Sequence, residues 1–207
     1  MQPTAQTRCV AFSGTRRIAE GELATVALRA KEAVDTGEPV IIFDDTTSEA
    51  IELDFRGTPA DVLGRLVPAD HAAEPTTPNQ IKFPRGPGRP RLGVVAREVT
   101  LLPGHWEWLN AQPGGASVAL RKLVDGARRA NESKDRVRRA QEVAYRFMSI
   151  MAGDRPGFEE ATRALFAGDR DHFHELVQAW PRDVAGHAGK LAEPAFAAAA
   201  DPQSAAS

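Results

Sequence analysis

Apolar positions fall into three regimes along the chain. Over residues 8–66, short apolar runs alternate with polar turns. Cys9-Val10-Ala11-Phe12 reads as a strand closed by Ser13-Gly14. From Ala19 to Val34 the positions Leu23, Val26, Ala27, Ala30, Ala33 and Val34 recur at helical spacing, and Gly37 marks the stop. Val40-Ile41-Ile42-Phe43 is a second β-prone run. After the turn Asp44–Glu49, the alternation Ile51/Leu53/Phe55 predicts a partner strand that completes a hairpin. Thr58, followed by Pro59 at a first helical position, opens a short helix to Leu66. The predicted order is βαββα.

Residues 67–91 hold six prolines and almost no aliphatic side chains, which predicts a Pro-rich linker. Beyond it, Val94-Val95 and Val99–Leu102 are β-prone, and His105–Asn110 predicts a short helix stopped by Pro113-Gly114-Gly115. A helix is expected from Ser117, with Val118, Leu120, Leu123 and Val124 inward and Arg121, Lys122, Arg128 and Arg129 outward. Another is expected over Lys134–Met151, with Val137, Val143, Ala144, Phe147, Met148 and Met151 on its apolar face. Gly153-Asp154-Arg155 and Gly168-Asp169-Arg170 open two similar segments fifteen residues apart, each with an aspartate suited to an N-cap and an aromatic one turn inside. The whole is α+β: a small α/β domain at 8–66, a basic Pro-rich linker at 67–91, a short strand plus helical domain at 92–192, and a frayed Ala-rich tail at 193–207.

Charge changes this picture more than composition does. The chain carries 26 Lys/Arg and 28 Asp/Glu, a formal net of −2. Between Lys82 and Arg146, however, 14 basic residues stand against 6 acidic ones, so the middle carries +8 and the rest −10. A basic stripe of this kind is the electrostatic footprint of a polyanion partner. The near cancellation also fits a protein-interaction or self-assembly module in which acidic and basic parts meet. No apolar run approaches the length of a membrane span. The residues before Cys9 lack the order of a secretory signal, and one cysteine excludes an internal disulfide, so the cytoplasm is the expected compartment.

Within the basic middle, Lys82–Arg91 contains Gly88-Arg89-Pro90 flanked by Arg85 and Arg91, and it resembles the AT-hook, a minor-groove-binding arm. Glycine lets the backbone enter the narrow groove, proline pre-extends the chain, and arginine meets the negative potential there. Pro87 stands where that motif carries a basic residue. Residues 99–129, in the order strand, Pro-start helix, Gly-rich turn, helix, resemble a ribbon-helix-helix unit. That resemblance implies a homodimer, with Arg97, Glu98 and Thr100 as candidate base readers and Ser117 as a phosphate clamp. Arg121, Lys122, Arg128 and Arg129 would neutralise backbone phosphates. Most of the chain is also similar to a bacterial family known as an uncharacterised domain of unknown function. The similarity is carried by Gly88–Pro103, His105–Leu109 and Gln112–Val124, and it implies no activity.

Catalytic patterns are weak by comparison. His172 and His174, two residues apart, diverge on a helix and do not converge on one ion. Asp44-Asp45 suits a turn better than a cation site, and Gly14-Thr15-Arg16-Arg17 lacks the lysine of a phosphate loop. Cys9 reads as a small core residue. No catalytic residue, metal ligand or cofactor is expected, and the reading from sequence is a non-catalytic DNA-binding protein.

Overall fold

A computed structural model describes residues 3–66 and 97–199. The chain divides into two compact units, one formed by Met1–Asp70 with Asn131–Ser207 and one by His71–Ala130. The architecture is α+β, with a three-stranded antiparallel sheet and, among the described residues, 61% helix.

In the first unit the sheet comprises β1 (Arg8–Ser13), β2 (Arg16–Glu22) and β3 (Val40–Asp44), in the order β2-β1-β3. The central strand is antiparallel to both neighbours, with Cys9 opposite Gly21 and Val10 opposite Phe43. The pattern pointed to a helix from Ala19; instead Arg16–Glu22 is a strand, and helix α1 occupies Leu23–Asp35. That strand is polar with a single large aliphatic residue, Ile18, so its sequence has no strand signal. Charge of this kind is common on an edge strand, where it discourages pairing with other chains. The expected partner strand at Ile51–Phe55 reduces to one bridge, Phe43 to Ala50, and a backbone hydrogen bond from Ile51 to Ile42. The alternation there is nonetheless used, because Ile51, Leu53 and Phe55 all pack on the core beside α1.

Side chains of β1 alternate between two faces, and both are covered. Cys9 and Ala11 join Leu23, Val26, Ala27 and Ala30 of α1, together with Val62 and Leu66 of α2 (Pro59–Leu66). Val10, Phe12 and Phe43 point the other way, into a larger core built by helices from the C-terminal part of the chain. The sheet is thus the middle of three layers. A boundary at the Pro-rich stretch separates residues that the fold packs together: the apolar far face of the sheet can be buried only by helices that follow.

Those helices are the C-terminal portion of α4 (Gly115–Ala152), then α5 (Phe158–Ala167), α6 (Arg170–Val177) and α7 (Arg182–Ala199). The two helices expected over 117–129 and 134–151 are one continuous helix. Nothing between Arg128 and Lys134 breaks it, since Asn131 and Ser133 are weak helix formers but neither is proline. Of the two Gly-Asp segments, only the second caps as expected, Asp169 accepting from the His172 amide at 3.2 Å. The first helix of the pair begins after Gly157, whose φ is 78°. Residues 193–199 are helix and not a frayed tail: Ala195 and Phe196 are buried, with Phe196 against Phe173.

Helix α2 is fixed by a reciprocal cap. The Thr58 amide donates to Asp61 Oδ2 at 2.7 Å, and the Asp61 amide returns to Thr58 Oγ1 at 3.3 Å. Gly57 precedes it at φ 87°, where a Cβ would lie 2.7 Å from the same carboxylate oxygen, so both conformation and space require glycine.

In the second unit, the described residues form an extended segment at 97–102, helix α3 (Pro103–Asn110), a Pro-Gly-Gly turn and the start of α4. Residues Val99–Leu102, read as a strand from their composition, carry no strand pairing; Val99 and Leu102 are more than half exposed.

Candidate nucleic-acid interface

The arm residues Arg85, Gly88, Arg89, Pro90 and Arg91 lie outside the described residues. Arg97 and Thr100 are exposed on the extended segment. Ser117 lies in the first turn of α4, where its hydroxyl accepts from Arg121 Nη2 at 3.2 Å and its carbonyl accepts from Arg121 Nε at 3.0 Å. The neighbouring Gly115 amide donates to the Gln112 carbonyl at 2.9 Å. Part of the clamp expected at this turn is therefore already engaged within the chain, and Arg121 and Ser117 form a local pair.

Further along α4, every residue from Arg121 to Ala130 is exposed. Arg121 and Arg128 stand seven positions apart, as do Lys122 and Arg129, so they form two adjacent rows whose members are about 10 Å apart along the axis. Asp125 and Glu132 sit between the rows and temper the field. Glu132 reaches Arg136 at 3.9 Å, and Arg129 Nε donates to the Asp125 carbonyl at 3.1 Å. This stretch has a net positive charge and is exposed throughout.

The groove between α3 and α4 was not foreseen. Leu123 and Val124, expected to face inward, are 51% and 54% exposed, and Trp108 is 53% exposed. Leu101, His105, Trp108, Leu109, Leu120 and Leu123 line a cavity of about 290 Å³. Only Leu109 and Ala119 are buried among the described residues of this unit. Periodicity marks a face as apolar, but it does not say whether the chain itself supplies the cover.

A second unforeseen feature lies in the first unit. His187 of α7 is buried to 1% exposure, 5.7 Å from the Phe12 ring and 4.7 Å from the Phe147 ring, and neither ring nitrogen has a hydrogen-bond partner in the protein. Burial, reinforced by the charge of Lys190, lowers its pKa to about 4. Lys190 Nζ bridges Glu20 at 2.7 Å and Asp45 at 3.2 Å, tying α7 to the edge strand and to the loop after β3. Nearby, Asp183 accepts from the Arg17 amide at 2.9 Å. The sequence offered no sign of this, because a lone histidine in an Ala-rich helix resembles a surface residue.

Other candidate groups have structural partners. Asp44 Oδ1 accepts from the amides of Thr46 and Thr47 at 2.8 and 2.9 Å, which makes it a turn former. His172 faces Glu175 and His174 faces Glu193, each at 3.8 Å, so the two imidazoles diverge. His105 is exposed at the groove. The Cys9 thiol is fully buried beside Asp44 and Asp45, and its pKa is pushed up to about 12, chiefly by burial. Among the described residues no group of three His, Cys, Asp or Glu is placed to hold a metal ion, and no helix is long and apolar enough to cross a membrane.

These features define a class of α+β protein in which a layered unit is interrupted by a segment carrying a helical hairpin and a basic helix. Residues 8–192 match the family described as "Uncharacterized protein conserved in bacteria (DUF2239)", and the chain belongs to that family. No curated protein and no solved structure matches it.

Proposed function

We propose that this is a non-catalytic DNA-binding protein, regulatory or architectural in role, that grips the duplex through phosphate contacts. The observation that carries the reading is the exposed stretch Arg121–Ala130 of α4, with Arg121, Lys122, Arg128 and Arg129 in two rows on one face. Such rows neutralise phosphates without reading bases, since positioning contacts carry no sequence information. Sequence preference would come from the Gly88-Arg89-Pro90 arm entering an A·T-rich minor groove, with Arg85 and Arg91 on the flanking phosphates. Arg97, Thr100 and Ser117 add contacts on the approach to the helix.

Fluorescence anisotropy with A·T-rich and G·C-rich duplexes tests this directly. Four phosphate contacts from α4 give a slope of log K against log salt of about −3.6. Replacing Arg128 and Arg129 by Ala weakens binding equally on both duplexes and flattens the slope. Arg89→Ala weakens the A·T-rich complex more than the other. Absence of binding to either duplex at low salt overturns the proposal.

A further inference from the structure

The face of α4 opposite the arginines has its own logic. When Leu120–Ser133 is written in heptads with Leu120 at a, Leu120 and Ala127 occupy a and Leu123 and Ala130 occupy d. Val124 and Asn131 fall at e, and Gly126 and Ser133 at g. Arg121, Lys122, Asp125, Arg128, Arg129 and Glu132 fill b, c and f. Every b, c and f position in these two heptads is charged, and no a, d, e or g position is. Solvation alone does not require such a division, whereas a helix packed along one broad uncharged face does. Yet Arg121–Ala130 is exposed throughout in the single chain.

We propose that this face is the contact between two copies of the chain, paired antiparallel about Ala127. Three observations select a second copy as the occupant. First, the face is graded in size, with Leu123 and Val124 toward one end and Gly126, Ala127 and Ala130 toward the other; antiparallel pairing sets the bulky end of each copy against the small end of its partner. A Cβ built on Gly126 meets nothing within 4 Å, so this end has room for an incoming side chain. Second, the pairing keeps both sets of arginines on the outer sides, about a helix diameter apart, where like charges are screened. Third, the patch continues into the groove where Trp108 stands half exposed beside Leu101, Leu120 and Leu123. A specific pair must bury on the order of 1,000 Å² in total, so both the face and the groove have to take part. The inference is independent of DNA binding, which uses the opposite face.

Sedimentation equilibrium of the full chain tests the pairing. A monomer–dimer equilibrium in the micromolar range is expected, and it persists in about 0.5 M NaCl because the contact is uncharged. Val124→Glu and Ala130→Glu, each placing a charge on the face, raise the dissociation constant about tenfold or more with helix content unchanged by circular dichroism. Glu132→Lys, on the charged side, leaves association as it was. Ala127→Cys cross-links to its own copy on oxidation, since only a residue near the two-fold axis meets its equivalent within disulfide range; the buried Cys9 does not compete. A chain that stays monomeric at about 100 µM, or that associates equally well with both glutamate variants, overturns the proposal.

Discussion

Acidification from pH 7 to pH 5 should weaken the fold through one residue, His187. Its imidazole is enclosed by Phe12 and Phe147, and neither nitrogen has a protein partner, so a proton there would leave an unpaired charge in the core. The groups around it do not reverse this. Lys190 and Arg17 lower the pKa, and Glu20 and Asp45, which raise it, are already engaged by Lys190. The folded value is about 4 against an ordinary 6.5. As pH falls, the unfolded chain therefore takes up the proton first. Stability is full above about 6.5 and is lost progressively down to about 4. The gap corresponds to a loss of about 3 kcal/mol below pH 4, of which about 2 kcal/mol has gone by pH 5. Urea unfolding followed by circular dichroism at the two pH values should show the midpoint falling by about 1 M, for a slope of about 2 kcal/mol/M. His187→Leu, similar in size and unable to titrate, is expected to be at least as stable as the parent at pH 7 and to lose most of this dependence. Contributions from the carboxylates are common to both proteins and cancel in the difference. A variant that keeps the full midpoint shift between pH 7 and pH 5 would refute the assignment.

Phe147 is fully buried and touches Phe12, Phe43 and His187, joining the sheet to the C-terminal helices. Phe147→Ala should cost about 3–5 kcal/mol, measured by urea unfolding. Thr58→Ala removes both hydroxyl contacts of the α2 cap and should cost about 1 kcal/mol in the same assay. Gly57→Ala should cost more than that, because the new methyl meets Asp61 at a backbone conformation alanine resists.

Much of the fold was readable where local pattern and tertiary use coincide. Cys9–Phe12 is buried on both faces, and a continuous apolar run records that; in Val40–Phe43 the same kind of run buries only Ile42 and Phe43, while Ile41 is exposed. Thr58-Pro59 announced α2 because capping is a local matter. Arg16–Glu22 escaped because an edge strand needs only a neighbour's hydrogen bonds, which leave no mark on side-chain chemistry. The break expected near Asn131 failed for a related reason: helix continuity there follows from the absence of a breaker, not from any positive signal. At the site, the exposed basic row was legible from spacing alone. The chemistry of His187 was not, since its burial depends on Phe12 and Phe147, far away in sequence.

The second face of the sheet has a consequence for the chain as it is made. Val10, Phe12 and Phe43 are complete early in synthesis, yet the side chains that shelter them begin at Ala144 and Phe147. About a hundred residues separate Phe43 from Phe147, so at ordinary elongation rates this aromatic surface stays uncovered for roughly 5–20 s. In that interval α1 can already protect one side of the sheet, leaving a half-built sandwich with its larger apolar side open to water. Newly made chains are then open to mispairing through this surface, and a chaperone that holds nascent aromatic segments would act at this stage. Lengthening the stretch between Leu66 and Pro103 would extend the exposed interval while adding little to the loop-closure cost of the finished fold.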